Sequence, residues 1–156
     1  MSQRMTILVI DDIPLMRTIL VKFLKSLGLK ILSEDLEVGG LEIIEASNGK
    51  VALERLKKKP VNMIFLDLMM PEMDGLTFLG LKKEDPSIAH IPTIICSALG
   101  EKDTLERAKS LGAHSYIVKP FSMKSVEEKF RKALEVCRAQ GESPVTGPRL
   151  DLSLQG

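Results

Sequence analysis

The sequence predicts an α/β fold, a doubly wound, five-stranded parallel sheet with helices on both faces. Three observations carry that prediction. Nearly continuous apolar runs alternate five times with stretches of helical period, and parallel neighbours need crossover helices of this kind. The runs lack the strict alternation of a half-exposed strand, as strands buried on both faces do. A chain of 156 residues can bury roughly 68–70% of its unfolded surface around a single core.

The first run, Met5 to Ile10, is interrupted only by Thr6 and leads into Asp11-Asp12. Pro14 suits the first turn of a helix, Leu15, Met16, Ile19, Leu20, Phe23, Leu24 and Leu27 recur at helical spacing, and Gly28 reads as the stop. The segment Lys30 to Gly40 (KILSEDLEVGG) mixes acids, apolar residues and a glycine pair. It shows no firm period and gives no firm element. Leu41 to Ala46 forms the second strand, and Asn48-Gly49 turns into a helix carrying Val51, Ala52, Leu53 and Leu56. Lys57-Lys58-Lys59-Pro60 closes that helix, its lysines reading as a solvated end.

Val61 to Leu66 is the third strand and delivers Asp67 to a turn containing Pro71, Asp74 and Gly75. A short helix through Leu76, Phe78, Leu79 and Leu81 ends near Lys82-Lys83. Pro92 opens the fourth strand, which closes on Ser97, and Gly100 to Leu111 is helical with Gly112 at its C-terminal cap. Ser115 to Val118 is the fifth strand and runs straight into Lys119-Pro120. In the last helix Val126, Phe130, Ala133, Leu134 and Cys137 share a face as far as about Gln140, with Ser122 as N-cap. A domain is expected over 1–140, and the Gly-, Pro- and Ser-rich stretch 141–156 as a flexible tail.

Composition narrows the function. The formal charge is +1, from 22 basic and 21 acidic residues, so the whole-molecule field argues for neither nucleic acid nor an anionic membrane. Aromatic residues make up 4% and Trp is absent, against the aromatic platforms on which single-stranded bases stack. The opening MSQRMTILVIDD holds neither a secretory signal nor a membrane span, and a cytoplasmic protein is expected. Cys96 and Cys137 read as reduced core residues.

In an open parallel sheet the carboxyl ends of all strands lie on one edge, where ligands bind. Asp11, Asp12, Asp67, Ser97 and Lys119 should therefore converge although they are far apart in the chain. Singly each has an ordinary role: Asp12 as a helix N-cap, Asp67 in its turn, Ser97 as a strand-end hydroxyl, Lys119 at the surface. Together they ask for chemistry. Two carboxylates about 4 Å apart repel by about 4 kcal/mol at an effective dielectric near 20, so three need a cation or raised pKa values. Oxygen ligands without His or Cys favour a hard ion, and Mg²⁺ is usual where a phosphate shares the site, with Mn²⁺ the alternative. Between such an ion and Lys119, Asp67 is set up as a nucleophile toward phosphorus, and Ser97 can hydrogen-bond the phosphoryl group.

Asp11-Asp12, the strand into Asp67 followed by LMMPEMDG, Ser97-Ala98 and Lys119-Pro120-Phe121 together resemble the receiver domain of two-component response regulators, over about Thr6 to Cys137. The resemblance implies the flavodoxin-like strand order 2-1-3-4-5. It places the phosphoacceptor on Asp67, the metal ligands on Asp12, Asp67 and the Met69 carbonyl with Asp11 acting through water, the switch hydroxyl on Ser97 and the active-site lysine on Lys119. Pro120 falls on the family's cis-proline, and Tyr116 on the aromatic that turns inward on activation. The side chains flanking the path of an attacking water fall on Met69 and Leu99, both apolar. What is implied is a phosphorelay receiver that takes a phosphoryl group from a histidine kinase or phosphotransfer protein and signals by binding a target protein. It would promote its own phosphorylation and dephosphorylation without being a multiple-turnover enzyme. No direct nucleic-acid or membrane contact is expected, and the stretch after Gln140 is too short for a DNA-binding module. The segment at about 30–40 departs from the family's short connection there and reads as an insertion of about ten residues. A haloacid-dehalogenase-like phosphatase is the rival from another class, but its DxDx(T/V) signature is found at neither Asp11-Asp12-Ile13 nor Asp67-Leu68-Met69. A receiver-like scaffold that is never phosphorylated is the third reading, disfavoured because every chemical position is filled.

Overall fold

The computed structural model describes residues 3–34, 38–98 and 102–140. Strands β1 (Gln3–Ile10), β2 (Val38–Ala46), β3 (Met63–Asp67), β4 (Thr93–Ser97) and β5 (Ser115–Val118) form one sheet in the order β2-β1-β3-β4-β5. All four pairings are parallel. Helices α1 (Pro14–Glu34), α2 (Gly49–Lys58), α3 (Gly75–Glu84), α4 (Lys102–Ser110) and α5 (Met123–Ala139) make the crossovers. The two-residue period of β1 divides the core between the faces. Ile7 and Val9 pack with Leu20, Leu24 and Phe130 from α1 and α5, while Leu8 and Ile10 pack with Ala52, Phe78 and Ala108 from α2, α3 and α4.

Two elements differ from the sequence expectation. Gly28 does not stop α1, which continues to Glu34. The apolar period continues too, since Leu24, Leu27 and Ile31 are all buried. A Cβ at position 28 would meet Leu41 Cδ2 at 2.3 Å, so the glycine lets α1 lie close against β2. That contact outweighs the roughly 1 kcal/mol by which mid-helix glycine falls short of alanine. β2 likewise begins at Val38 and not at Leu41, pairing with β1 from Gln3 onward through one register shift between Gln3 and Arg4. Of the stretch expected as an insertion, residues 30–34 continue α1 by about a turn and a half and residues 38–40 lengthen the edge strand, while 35–37 lie outside the described residues. Of the remaining expectations, Leu99, Gly100 and the 141–156 segment lie outside the described residues.

The added helical turns are tied to α5 by charge. Lys30 pairs with Glu127 at 3.1 Å, and Arg131 pairs with Glu34 at 3.0 Å and with Glu127 at 2.9 Å. These pairs are solvent-exposed and screened, so they fix the contact between the helices more than they add to stability. At the start of α5, Ser122 and Ser125 form a reciprocal capping box. Cys96 and Cys137 are both buried and neither is in a disulfide, as expected.

Candidate functional site

The carboxyl edge of the sheet is built by the exits of β1, β3, β4 and β5. Asp11 follows β1 directly and its N–H donates to the Ala46 carbonyl, which fastens it to the end of β2. Its Oδ1 accepts from the Ile13 N–H at 2.9 Å and its Oδ2 from Lys119 Nζ at 3.0 Å, so this side chain is held inward on both oxygens. Asp67 closes β3 opposite Cys96 of β4, which puts Ser97 one residue beyond it on the neighbouring strand. Lys119 reaches the site from the end of β5, where its N–H donates to the Ser97 carbonyl at 2.6 Å. The Lys119–Pro120 peptide is cis, as the resemblance implies.

The loop after Asp67 is shaped by its turn residues. Met69 N–H donates to Asp67 Oδ1 at 3.2 Å, and Gly75 N–H donates to the Leu68 carbonyl. Asp74 caps α3 by accepting from the Thr77 N–H. A Cβ at position 75 would lie 2.7 Å from Leu68 Cα and 2.8 Å from the Asp67 carbonyl oxygen, so only glycine allows the helix to start so close to the strand end.

Three acids converge here. Asp11, Asp12 and Asp67 each offer a carboxylate oxygen within 4.8 Å of the others. Burial pushes the Asp67 carboxyl up to about 6; Lys119 opposes this, Asp11 adds to it, the Met69 N–H opposes it and Asp12 adds to it. Lys119 Nζ stands 3.6 Å from Asp67 Oδ2. Burial disfavours the ammonium, but the bond to Asp11 and the charges of Asp67 and Asp11 outweigh that and hold its pKa above the usual lysine value. Asp12 Oδ1 is buried without a hydrogen-bond partner among the described residues. A buried carboxylate oxygen of this kind, beside two further acids and with no His or Cys in the cluster, fits a hard divalent cation.

The remaining candidates lie around this cluster. Ser97 is buried at the end of β4. Met69 stands at the mouth with its side chain 76% exposed. Tyr116 faces outward from β5, 47% exposed, with Lys129 Nζ 5.8 Å from its ring centroid. It borders a groove of about 520 Å³ between α4, β5 and α5, into which Lys102, Lys109, Lys129 and Lys132 also face. Arg17 belongs to the site but is not marked by the sequence pattern, where it reads as one more charge on α1. Its Nη1 donates to the Asp11 carbonyl at 2.6 Å and its Nε to Glu45 at 2.9 Å.

Comparison with known proteins agrees with this geometry. The model of the response regulator receiver domain matches residues 7–131. Two curated proteins carrying the name "Probable transcriptional regulator ycf27" are similar. That of Porphyra purpurea is 35% identical over 133 residues, and that of Porphyridium aerugineum 36% over 132. Each alignment covers 85% of this chain and 49% of the relative, so the chain spans about half the length of these proteins. Among solved structures, chemotaxis protein CheY4 of Vibrio cholerae superposes with a TM-score of 0.72 at 21% identity, over 83% of this chain and 98% of that one. The receiver domain of sensor histidine kinase PA1611 from Pseudomonas aeruginosa gives 0.71 at 19% identity, over 85% and 98%, and has a magnesium ion coordinated in its active-site cleft. Identities this low show the shared fold.

Proposed function

The chain belongs to the response regulator receiver domain family, a signalling domain of two-component systems, and from that premise we propose that Asp67 accepts a phosphoryl group from a phosphohistidine on a histidine kinase or phosphotransfer protein. The phosphorylated form then signals by binding a target protein. The observation that carries this reading is the buried Asp67 carboxylate at the end of β3, with Lys119 Nζ 3.6 Å away and the unpartnered Asp12 Oδ1 in the same cluster.

In the proposed step an Asp67 oxygen attacks phosphorus in line with the histidine nitrogen. The P–O bond of an acyl phosphate forms, the P–N bond breaks, and the electron pair leaves with the imidazole. With its carboxyl near 6, Asp67 is mostly ionised at neutral pH and keeps a free lone pair. Lys119 offsets charge on the transferring oxygens, and Ser97 donates to the phosphoryl group once it is in place. Asp12, Asp67 and the Met69 carbonyl would hold Mg²⁺, or Mn²⁺, with Asp11 joining through water. That ion would add further positive charge against the phosphoryl oxygens. Hydrolysis of the acyl phosphate returns the carboxylate, so one phosphoryl group passes per signal and the protein is not a multiple-turnover enzyme.

Coupling to a partner runs through Ser97 and Tyr116. A phosphoryl group that draws Ser97 toward itself favours a packing in which Tyr116 turns inward, and this population shift alters the groove between α4, β5 and α5. No helix among the described residues is long and apolar enough to cross a membrane. The reading places the protein in the cytoplasm, where histidine kinases present their phosphohistidine. Contact with DNA is no part of it; for the longer relatives named as regulators it is a question for the whole protein.

Incubation with Mg²⁺ and a small acyl phosphate, followed by intact mass and peptide mapping, tests the assignment. One phosphoryl group on Asp67 is expected in wild type and none in Asp67→Asn. Unchanged labelling of Asp67→Asn, or sustained turnover of phosphate esters as in the dehalogenase-like rival, would overturn it.

A further inference from the structure

We infer that Arg17 is a positioning residue for the acidic cluster, holding the Asp11–Asp12 peptide so that Asp12 presents its free carboxylate oxygen to a divalent cation. This rests on the metal reading proposed above. Arg17 lies in the first turns of α1, where its N–H donates to the Ile13 carbonyl, and its side chain turns back under the β1–α1 loop. Nη1 donates to the Asp11 carbonyl at 2.6 Å, and Nε to Glu45 Oε1 at 2.9 Å beside the end of β2. The Arg17 side chain is four-fifths shielded from solvent and its bond to the Asp11 carbonyl is partly buried, which sets that contact apart from an ordinary surface charge.

The Asp11 carbonyl is the oxygen of the peptide that joins the two acids, so its orientation governs where Asp12 points. Every other atom that could fix Asp11 is already engaged elsewhere: its N–H on Ala46, Oδ1 on Ile13 N–H and Oδ2 on Lys119. Asp12 Oδ1 has no partner of its own among the described residues. The peptide before it is therefore what aims it, and the rigid fork of Arg17 ties that peptide to the end of β2 through Glu45. A lysine can hold one of these oxygens but not both in a fixed plane.

Mg²⁺ titration of the full chain, read from the amide resonances of Asp12 and Asp67 with circular dichroism as the control for folding, tests the inference. Arg17→Ala is expected to weaken Mg²⁺ binding about tenfold or more, the usual range for residues that orient ligands. Arg17→Lys should fall between it and wild type, and Glu45→Ala should cost less than Arg17→Ala because the bond to the Asp11 carbonyl remains. A folded Arg17→Ala that binds Mg²⁺ within about twofold of wild type overturns the inference, since orienting contacts of this kind cost more. If Arg17→Ala does not fold, Arg17→Lys decides: weakened binding supports the role and wild-type affinity overturns it. No saturable response in wild type removes the metal reading itself and this inference with it, a result distinct from equal affinities across the series.

Discussion

Two side chains bury a charge at opposite ends of the sheet. Asp67, 4% exposed, closes β3 at the carboxyl edge, and Lys82, 2% exposed, sits in the last turn of α3 at the other edge. Burial is the largest cause of a shifted pKa in both, upward to about 6 for Asp67 and downward to about 8 for Lys82. Their surroundings differ. Asp67 has Lys119, the Met69 N–H and two further acids around it. The hydrogen-bond partner of Lys82 is the Ala89 carbonyl at 3.0 Å, and its charge lies near His114, whose pKa is lowered by burial and then by Lys82. A perturbed pKa by itself therefore reports burial. What marks the carboxyl edge as a site is that several groups with complementary chemistry share one small volume.

The largest effect is expected at the Lys82 end. The folded pKa of Lys82 lies below its unfolded value of 10.5, at about 8, so the protein gains stability as pH rises between these values and carries the full penalty below about 8. At about 1.4 kcal/mol per pH unit that penalty is on the order of 3 kcal/mol. Lys82→Met leaves the Ala89 carbonyl without its donor, so a net gain of about 2 kcal/mol is expected at pH 7, shrinking toward pH 10.5. Urea unfolding at pH 7 and pH 10 checks this. Destabilisation of equal size at both would show that the ammonium is better accommodated than its single carbonyl implies.

Asp67→Asn should stabilise less, and in the opposite pH window. The folded pKa of about 6 lies above the ordinary 3.8, so Asp67 costs nothing below 3.8 and its full penalty applies above about 6. Removing the carboxylate also deprives Lys119 of a partner, which leaves an expected gain of about 1–2 kcal/mol at pH 8 that fades toward pH 4. On the proposed function the same substitution should also abolish phosphorylation, as expected when stability is given up at a functional site. Thermal unfolding of Asp67→Asn and wild type across that range would contradict the comparison if the difference did not depend on pH.

Most of this was open to reading from residue order. The central strands β1, β3 and β4 are buried on both faces and therefore show as apolar runs, and parallel topology brings the residues after the strands together without further information. What was hidden depends on tertiary neighbours. Gly28 carries a stop signal, and only Leu41 filling the space of its missing Cβ explains why α1 passes through it. Gly39-Gly40 falls in a stretch without a firm period, yet both lie in β2, where Gly40 pairs with Arg4 and Gly39 sits at the register shift. Lys82 looks like any basic residue in a helix's last turn, and Arg17 like any charge on a helix surface. No local pattern reveals that one is sealed and that the other reaches back to the Asp11 carbonyl.

Mg²⁺ separates the two ends directly. At ten times its dissociation constant a ligand that binds only the folded state adds about 1.4 kcal/mol. That increment is expected in wild type and in Lys82→Met alike, and is expected to vanish in Asp12→Ala. A Mg²⁺ response that survives in Asp12→Ala would place the ion away from the acidic cluster.

The smallest effect concerns the rim of the Asp67 end, which has no equivalent around Lys82. A water that hydrolyses the acyl phosphate must approach phosphorus in line with the Asp67 oxygen. Met69, two residues on, is 76% exposed at the mouth of the site while its own N–H is held by Asp67 Oδ1. The backbone is thus fixed and the thioether side chain is the part free to lie over the approach. Lying there it would shield a phosphoryl group on Asp67 and offer a water only a weak acceptor, whereas an amide at this position can accept from and donate to a nucleophile and so orient it. Met69→Asn should then shorten the life of the phosphorylated form by a few-fold, a barrier change of about 1 kcal/mol. Stability should not change, because an exposed side chain is exchanged. Decay followed by intact mass with Mg²⁺ in excess and no phosphatase measures it. An unchanged or slower rate would mean that Met69 plays no part in how long the signal lasts.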